Sequence, residues 1–297
     1  MELFLQQTVN AVALGGTYAL LALGLAIVFS VMGMINFAHG ELMTISGYTL
    51  MYCGIAGVPF VISVPLAILA AILAAVLMER IAFRPVRNAS GATMLVTSFA
   101  VATILQILFQ NLIATRSKPV ALPEGLAQSV AFGDFLIGVN KLAAIGATIV
   151  MLIFLNWFLK RTSVGIAMRA AAEDFPVARL MGVRANAVIA GAFALSGLLA
   201  GVASVLWVSQ RASVDPLMGF VPVLKAFIAS ILGGLGSLTG AVAGGFLLGF
   251  IEIYSTAFLP ESLQEFKEPI GLAVVVLVLL WRPNGLIPSA NFGTEKV

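Results

Sequence analysis

Between Glu2 and Glu41 no Asp, Glu, Lys or Arg interrupts the chain, and six more such intervals follow: Glu41 to Glu79, Arg87 to Arg116, Lys141 to Lys160, Arg184 to Arg211, Lys225 to Glu252 and Glu268 to Arg282. A hydrocarbon layer of roughly 30 Å is crossed by about 20 apolar residues in a helix. Seven intervals of this kind leave no stretch for a separate soluble domain. Only 10% of residues are charged and 61% are hydrophobic, far from the roughly 25% and 45–50% of soluble domains. The expected fold is all-α: a polytopic membrane helix bundle of about eight spans, forming one transmembrane domain over residues 1–297, with broken or re-entrant helices.

The interval from Leu42 to Met78 has room for two helices, with Gly54, Gly57 and Pro59 turning the chain between them. Pro269 to Trp281 is short for a span, so it is expected to be tilted, partly re-entrant, or helped by a snorkelling Arg282. The N-terminus lacks the basic region of a cleavable signal, so the first span should be retained. Cys53, the single cysteine, reads as packing.

Basic residues cluster in two loops, Arg80, Arg84 and Arg87 in one and Lys160, Arg161, Arg169, Arg179 and Arg184 in the other. The positive-inside rule places both in the cytoplasm. Thr115 to Asn140 and Arg211 to Phe220 are then external, the N-terminus lies outside and the Arg282-Pro283 end inside.

A parallel internal repeat is expected at an offset of 198 residues, with halves at about 8–90 and 188–288. Phe83-Arg84-Pro85 aligns with Trp281-Arg282-Pro283, the break Asn36 to Gly40 with Gly234 to Leu238, and Gly47 with Gly245. Transporters often place their pathway where such repeats meet.

Three segments carry most of the chemistry. Asn36-Phe37-Ala38-His39-Gly40-Glu41 puts an amide, an imidazole and a carboxylate within an apolar region, where polar groups are costly and call for a reason. It reads either as an interrupted helix lining a solute path, with Asn36, His39 and Glu41 as pathway candidates, or as an interfacial turn capping two helices. Gly233, Gly234, Gly236 and Ser237 lie in a second, glycine-rich break, which either opens a helix towards a cavity or only lets backbones approach closely. The third, at about 160–186, is cytoplasmic and projects one or two short amphipathic helices. Its candidate docking residues are Gly165, Met168, Arg169, Ala172, Asp174, Ala178, Met181 and Gly182. The alternative is a helix lying on the inner leaflet.

A phosphate-cradling loop needs a Gly-Lys pair followed by Ser or Thr, and the chain has no Gly-Lys dipeptide. One His, one Cys and few acids offer no nucleophile-base pair or metal-ligand cluster. No nucleic-acid partner follows from a net charge of +3, which membrane orientation alone accounts for. The chain is therefore expected not to be an enzyme.

Taken in order, the Asn36 to Glu41 break, Arg84-Pro85, the Gly165 to Gly182 segment, Phe193-Ala194-Leu195-Ser196-Gly197, Leu217-Met218-Gly219-Phe220 and Leu232 to Ser237 resemble the LivH-type permeases of bacterial branched-chain amino acid ABC importers. The resemblance runs nearly end to end. It implies an inner-membrane subunit paired with a second, LivM-like permease, two cytoplasmic ATPases carrying the ATP and Mg, and a periplasmic solute-binding protein, with no cofactor on this chain. It also implies alternating access, and makes the Gly165 to Gly182 segment the seat of an ATPase, although Ala171-Ala172-Glu173 reverses the Glu-Ala-Ala order of the better-known importer loop. The competing readings are a urea or amide permease of the same family, an ion-coupled transporter using Glu41, Glu252 or Lys225, and a membrane scaffold without transport.

Overall fold

The computed structural model describes residues 2–132 and 135–287. In chain order it contains α1 (Glu2–Met32), α2 (His39–Ile55), α3 (Phe60–Met78), a π-helical turn (Glu79–Phe83) running into the short α4 (Arg84–Val86), and α5 (Gly91–Leu112). Then come β1 (Lys118–Pro119), α6 (Glu124–Ala127), β2 (Ser129–Phe132), β3 (Phe135–Gly138) and α7 (Val139–Arg161). The remainder is α8 (Ser163–Glu173), α9 (Phe175–Leu180), α10 (Ala185–Arg211), β4 (Ser213–Val214), α11 (Phe220–Gly233), α12 (Leu238–Phe258), a 3-10 turn (Glu261–Phe266) and α13 (Lys267–Trp281). The molecule is an all-α bundle, as the charge-free intervals predict. Residue 288, the expected end of the second repeat-like half, lies outside the described residues.

Local chemistry sets several helix starts. The side chains of Ser90, Thr162, Asp174 and Ser237 each accept a hydrogen bond from the backbone N–H three residues on, capping α5, α8, α9 and α12. Such a cap satisfies one of the orphan donors of a helix start, worth about 1 kcal/mol. Helix α1 runs on until Gly33, whose backbone leaves the right-handed region at φ +67°. At 31 residues it is about 46 Å long, more than a hydrocarbon layer requires.

Among the described residues, six helices are long and apolar enough to cross a membrane, and the two shorter apolar helices Phe220–Gly233 and Glu268–Trp281 bring the candidates to eight. That agrees with the number of spans expected, but the eight are apportioned differently. The interval Lys225 to Glu252, expected to hold one crossing, belongs to two helices, because α11 ends at Gly233 and α12 begins at Leu238. Helix α2, with 17 residues, lies outside the eight and is packed mainly against α3 and α10.

The two basic loops come together at one end of the bundle, where Arg87 donates to the Asn186 side chain. At the other end the connection after α5 meets the connection after α10, with β1 paired antiparallel to β4. The shared sides expected for Thr115 to Asn140 and Arg211 to Phe220 are thus seen as shared ends.

The core is built around α1, which is 83% buried over its apolar window. It packs antiparallel against α12, where Gly245 sits on the Ala19 backbone and Gly249 on Gly15. It also meets α10, α11 and α7. Lipid tails are as apolar as these side chains, so close backbone approach through small residues, rather than exclusion of water, holds such helices together. The same device joins α10 to α3, where Gly197 and Gly201 lie on Ala71, Ile72 and Ile68.

Candidate functional site

The two breaks singled out in the sequence lie side by side. Ile35 from the first and Leu235 and Gly236 from the second line one small void with Leu25, Phe29 and Phe227. Phe37 joins them more firmly, with its ring stacked on Phe99 of α5 (centroids 4.4 Å apart) and set edge-on to Phe227 of α11 (5.2 Å). Offset and edge-to-face ring pairs of this kind add about 0.5–1.5 kcal/mol beyond area burial.

In the second break, Gly234 and Gly236 have φ of +115° and +80°, a region closed to most side chains. This lets the chain reverse between α11 and α12 with Gly233 against the Gly240 backbone. Ser237 is buried, and its hydroxyl accepts from the Gly240 N–H at 3.1 Å, closing the reversal.

The first break brings polarity into the core. Asn36, His39 and Glu41 are each 1% exposed or less. His39 points towards α10 and α1: its Nδ1 is 2.9 Å from the Ser196 hydroxyl, and the ring edge lies against Gly24, where a Cβ would come within 2.5 Å of Cε1. Glu41 points to α5, where Gln106 Nε2 donates to its Oε1 at 2.7 Å. The Phe37 N–H donates to the Ser98 hydroxyl at 3.3 Å, and the Tyr48 ring sits 5.7 Å from that of Phe109. Helix α5 therefore runs along the polar edge of α2 through three matched contacts, while only 17% of its own apolar window is buried.

Several of these buried atoms have no hydrogen-bond partner in the protein: both amide atoms of Asn36, His39 Nε2, Glu41 Oε2 and the Tyr48 hydroxyl. An unmet buried polar group costs about 1–3 kcal/mol, more when charged. The five atoms lie on four residues between Asn36 and Tyr48, along the break and the first half of α2. Where α2 begins, Gly40 abuts Gly219 at the start of α11 so closely that a Cβ on Gly219 would lie 1.9 Å from the Gly40 carbonyl oxygen. The starts of α2 and α11 thus meet backbone to backbone, with the His39, Glu41 and Phe220 N–H groups bonded to carbonyls of the preceding turns.

The two breaks meet through Ile35, Phe37, Leu235 and Gly236, while Asn36, His39 and Glu41 lie towards the start of α11 and Gly233, Gly234 and Ser237 form the reversal at its far end. Ser196, Gln106, Ser98, Tyr48 and Phe227 complete the surroundings of the first break, and sequence reasoning gave none of them a role. Ser196 was within reach, since it lies in the Phe193 to Gly197 segment, but a lone Ser in an apolar helix carries no signal of its partner. Gln106, one of few amides in the charge-free interval Arg87 to Arg116, is the other that could have been found.

The docking candidates lie at the end bearing the basic loops. Gly165, Met168 and Ala178 are buried and shape the segment from inside; a Cβ on Gly165 would strike the Phe158 carbonyl. Ala172 is half-buried, while Arg169, Asp174, Met181 and Gly182 are exposed. Arg169 Nε donates to the Leu159 carbonyl and ties α8 back to α7. The most exposed apolar side chains here are Leu180 and Met181, at 86% and 82%, at the tip of α9. Beside them opens a cleft of about 1130 Å³ lined by Arg87, Asp174, Arg179 and Arg184 together with Val31 and Met32 at the end of α1.

Residues 7–280 match the model of a family described as the branched-chain amino acid transport system permease component. The chain is 34% identical to the high-affinity branched-chain amino acid transport system permease protein BraD of Pseudomonas aeruginosa, over 99% of this chain and 98% of that protein. It is 35% identical to the corresponding permease protein LivH of Escherichia coli K12 over the same shares. A shorter match, 32% identity over 44% of the chain and 39% of the relative, is to the autoinducer 2 import system permease protein LsrC of Escherichia coli. No solved structure matches.

Proposed function

The chain belongs to the family of branched-chain amino acid transport permease components, and we propose that it is the transmembrane permease subunit of an ATP-driven importer that moves branched-chain or related amino acids by alternating access. The observation that carries this reading is the cluster of buried polar atoms without a protein partner at the α1–α2 break and along the start of α2.

A zwitterion passing through a bilayer needs acceptors for its ammonium, donors for its carboxylate and an apolar wall for its side chain. Glu41 Oε2 and Asn36 Oδ1 are free acceptors. Asn36 Nδ2 is a donor. Phe37, Phe99 and Phe227 supply the wall. Helix α5, the least buried of the spanning helices, covers this edge, and its displacement would open the cluster. Tight binding is not required there, because selection can rest with a periplasmic solute-binding protein.

In this reading the N-terminus faces outwards and the basic loops face the cytoplasm of a bacterial inner membrane. Two ATPase subunits holding ATP and Mg lie beneath the permease pair, and one of them docks on the α8–α9 segment of this chain, with Leu180 and Met181 as apolar anchors and Arg179 and Arg184 at the rim. A second, homologous permease completes the pathway. The pairing of Lys225 with Glu252 at 2.7 Å leaves neither available as a free coupling charge, which disfavours an ion-driven carrier built on them.

The test is reconstitution of the chain with its co-purifying subunits in liposomes. ATP-dependent leucine uptake is expected, together with its loss in Asn36→Leu. Uptake driven by an ion gradient without ATP, or unaltered uptake in the variant, would sink the reading.

A further inference from the structure

The end of α11 is closed by a segment from beyond α13. The last four carbonyls of a helix have no partner within it. In α11 these belong to Ser230, Ile231, Leu232 and Gly233. The Gly234 N–H turns back to the first two, at 3.0 and 3.1 Å. The other two accept from the Leu286 and Ile287 N–H groups, each at 2.9 Å. All four acceptors are thereby satisfied, two of them only because the chain returns after α13.

The returning strand is shaped for this place. Gly285, at φ +81°, turns the chain after Arg282, whose carbonyl accepts the Gly285 N–H at 2.9 Å and whose guanidinium donates to the Leu286 carbonyl at 3.4 Å. Gly234, Gly240 and Gly285 make the seat. A Cβ on Gly234 would lie 2.7 Å, and one on Gly240 3.0 Å, from the Ile287 carbonyl oxygen, and one on Gly285 would lie 2.5 Å from the Gly234 nitrogen. The seat is at the basic-loop end, because α12 runs antiparallel to α1, which finishes with Val31 and Met32 beside Arg87 and Arg184.

The opposite side of the same reversal faces the candidate path. Leu235 and Gly236 line the void that they share with Ile35 and Phe227. A single turn of backbone thus separates the returning strand from the meeting of the two breaks. Gly285 is buried and Leu286 half-buried, but Pro283, Asn284 and Ile287 are exposed. Just before them, α13 packs inwards through Val278 and Leu279 and presents Leu280 and Trp281 outwards, at 75% and 92% exposure. If the strand lifted, water at the membrane surface would meet its N–H groups and the two α11 carbonyls, so both arrangements leave the backbone satisfied. Within hydrocarbon, where an unmet backbone group is not tolerated, only the closed arrangement would exist.

We propose that residues 283–287 are a latch on the cytoplasmic end of the permease. Engaged, they hold the α11–α12 reversal, with Leu235 and Gly236, against the first break and keep the void closed. Released, they let the reversal move away from Ile35 and Phe37 and open the path towards the cytoplasm. Leu286 and Ile287 are positioning residues that act through α11 and do not touch the solute. The proposal rests on the reading of the chain as an ATP-driven, alternating-access permease.

The test is amide hydrogen exchange in the purified importer complex, nucleotide-free and trapped with ATP and vanadate, read by mass spectrometry over residues 283–287. Exchange there is expected to differ at least tenfold between the two states, while a peptide from the middle of α1 stays equally protected in both. Equal rates would overturn the latch and leave the segment a fixed cap. Ile287→Pro removes one of the two donors at a side chain that is 43% exposed. The assembled variant complex should still hydrolyse ATP, with leucine uptake per ATP lowered at least fivefold, and an unchanged ratio would overturn the proposal. Where that variant fails to assemble, exchange in the unaltered complex decides alone. Absence of ATP-driven leucine uptake by the unaltered complex with its binding protein would instead overturn the functional reading on which the latch stands.

Discussion

Ser196 on α10 holds His39 on α2 by a hydroxyl-to-Nδ1 contact of 2.9 Å between two side chains that are both essentially sealed from solvent, across 157 positions of sequence. The bond fixes the ring at the first turn of α2, and with it the start of the helix that carries Glu41 and Tyr48. Ser196→Ala leaves Nδ1 without that partner in the core. A cost of about 1–3 kcal/mol is expected, read as a lower unfolding midpoint of the detergent-solubilised chain. An unchanged midpoint would show that the hydroxyl contributes nothing to the break.

Glu41→Gln keeps the shape of the side chain but replaces one acceptor oxygen by an amide donor. An unmet buried polar group costs about 1–3 kcal/mol, so leucine uptake by the reconstituted complex should fall by roughly 10- to 100-fold with subunit assembly intact. Uptake within twofold of the unaltered protein would remove Glu41 from the pathway.

Two glycine substitutions should separate packing from propensity. At Gly219 a Cβ would lie 1.9 Å from the Gly40 carbonyl oxygen, backbone against backbone, so Gly219→Ala must push α2 and α11 apart at about 1–3 kcal/mol. At Gly91, in the first turn of α5, a Cβ meets nothing within 4 Å. Gly91→Ala should be neutral or slightly stabilising. Similar midpoints for the two variants would contradict the close approach.

Leu180 projects from the tip of α9 with 86% of its surface exposed. If an ATPase seats there, Leu180→Asp should cost at least tenfold in solute-stimulated ATP hydrolysis, since buried apolar anchors dominate interface energies. The chain should still insert and pack, because the residue touches no core. Full stimulation would move the docking surface elsewhere, with the cleft lined by Arg179 and Arg184 the next place to probe.

The absence of charge made the membrane bundle legible, and Gly54-Ile55-Ala56-Gly57-Val58-Pro59 marked the turn between α2 and α3 because those residues favour turns. The polar break at Asn36 to Glu41 was legible too, since three polar groups stand out in a hydrocarbon setting. What escaped were relations set by tertiary packing. A charge-based reading gave Lys225 to Glu252 one crossing, because a helix reversal at Gly234 needs no charge to mark it. The contacts of Glu41 with Gln106 and of His39 with Ser196 join helices far apart in sequence, and one sequence without relatives has no means of pairing them.

The seam between α1 and α12 has a consequence for biosynthesis. Its two sides, Gly15 and Phe246, are separated by most of the chain, so α1 cannot meet this neighbour until α12 has also left the ribosome. At about 5–20 residues per second that delay is on the order of ten to fifty seconds. During it α1 must rest in lipid or against whatever chaperones the nascent chain. Its freedom from charge between Leu3 and Met32 makes lipid a tolerable waiting place, and a chain cut short before Gly245 would be left with its central helix unclosed.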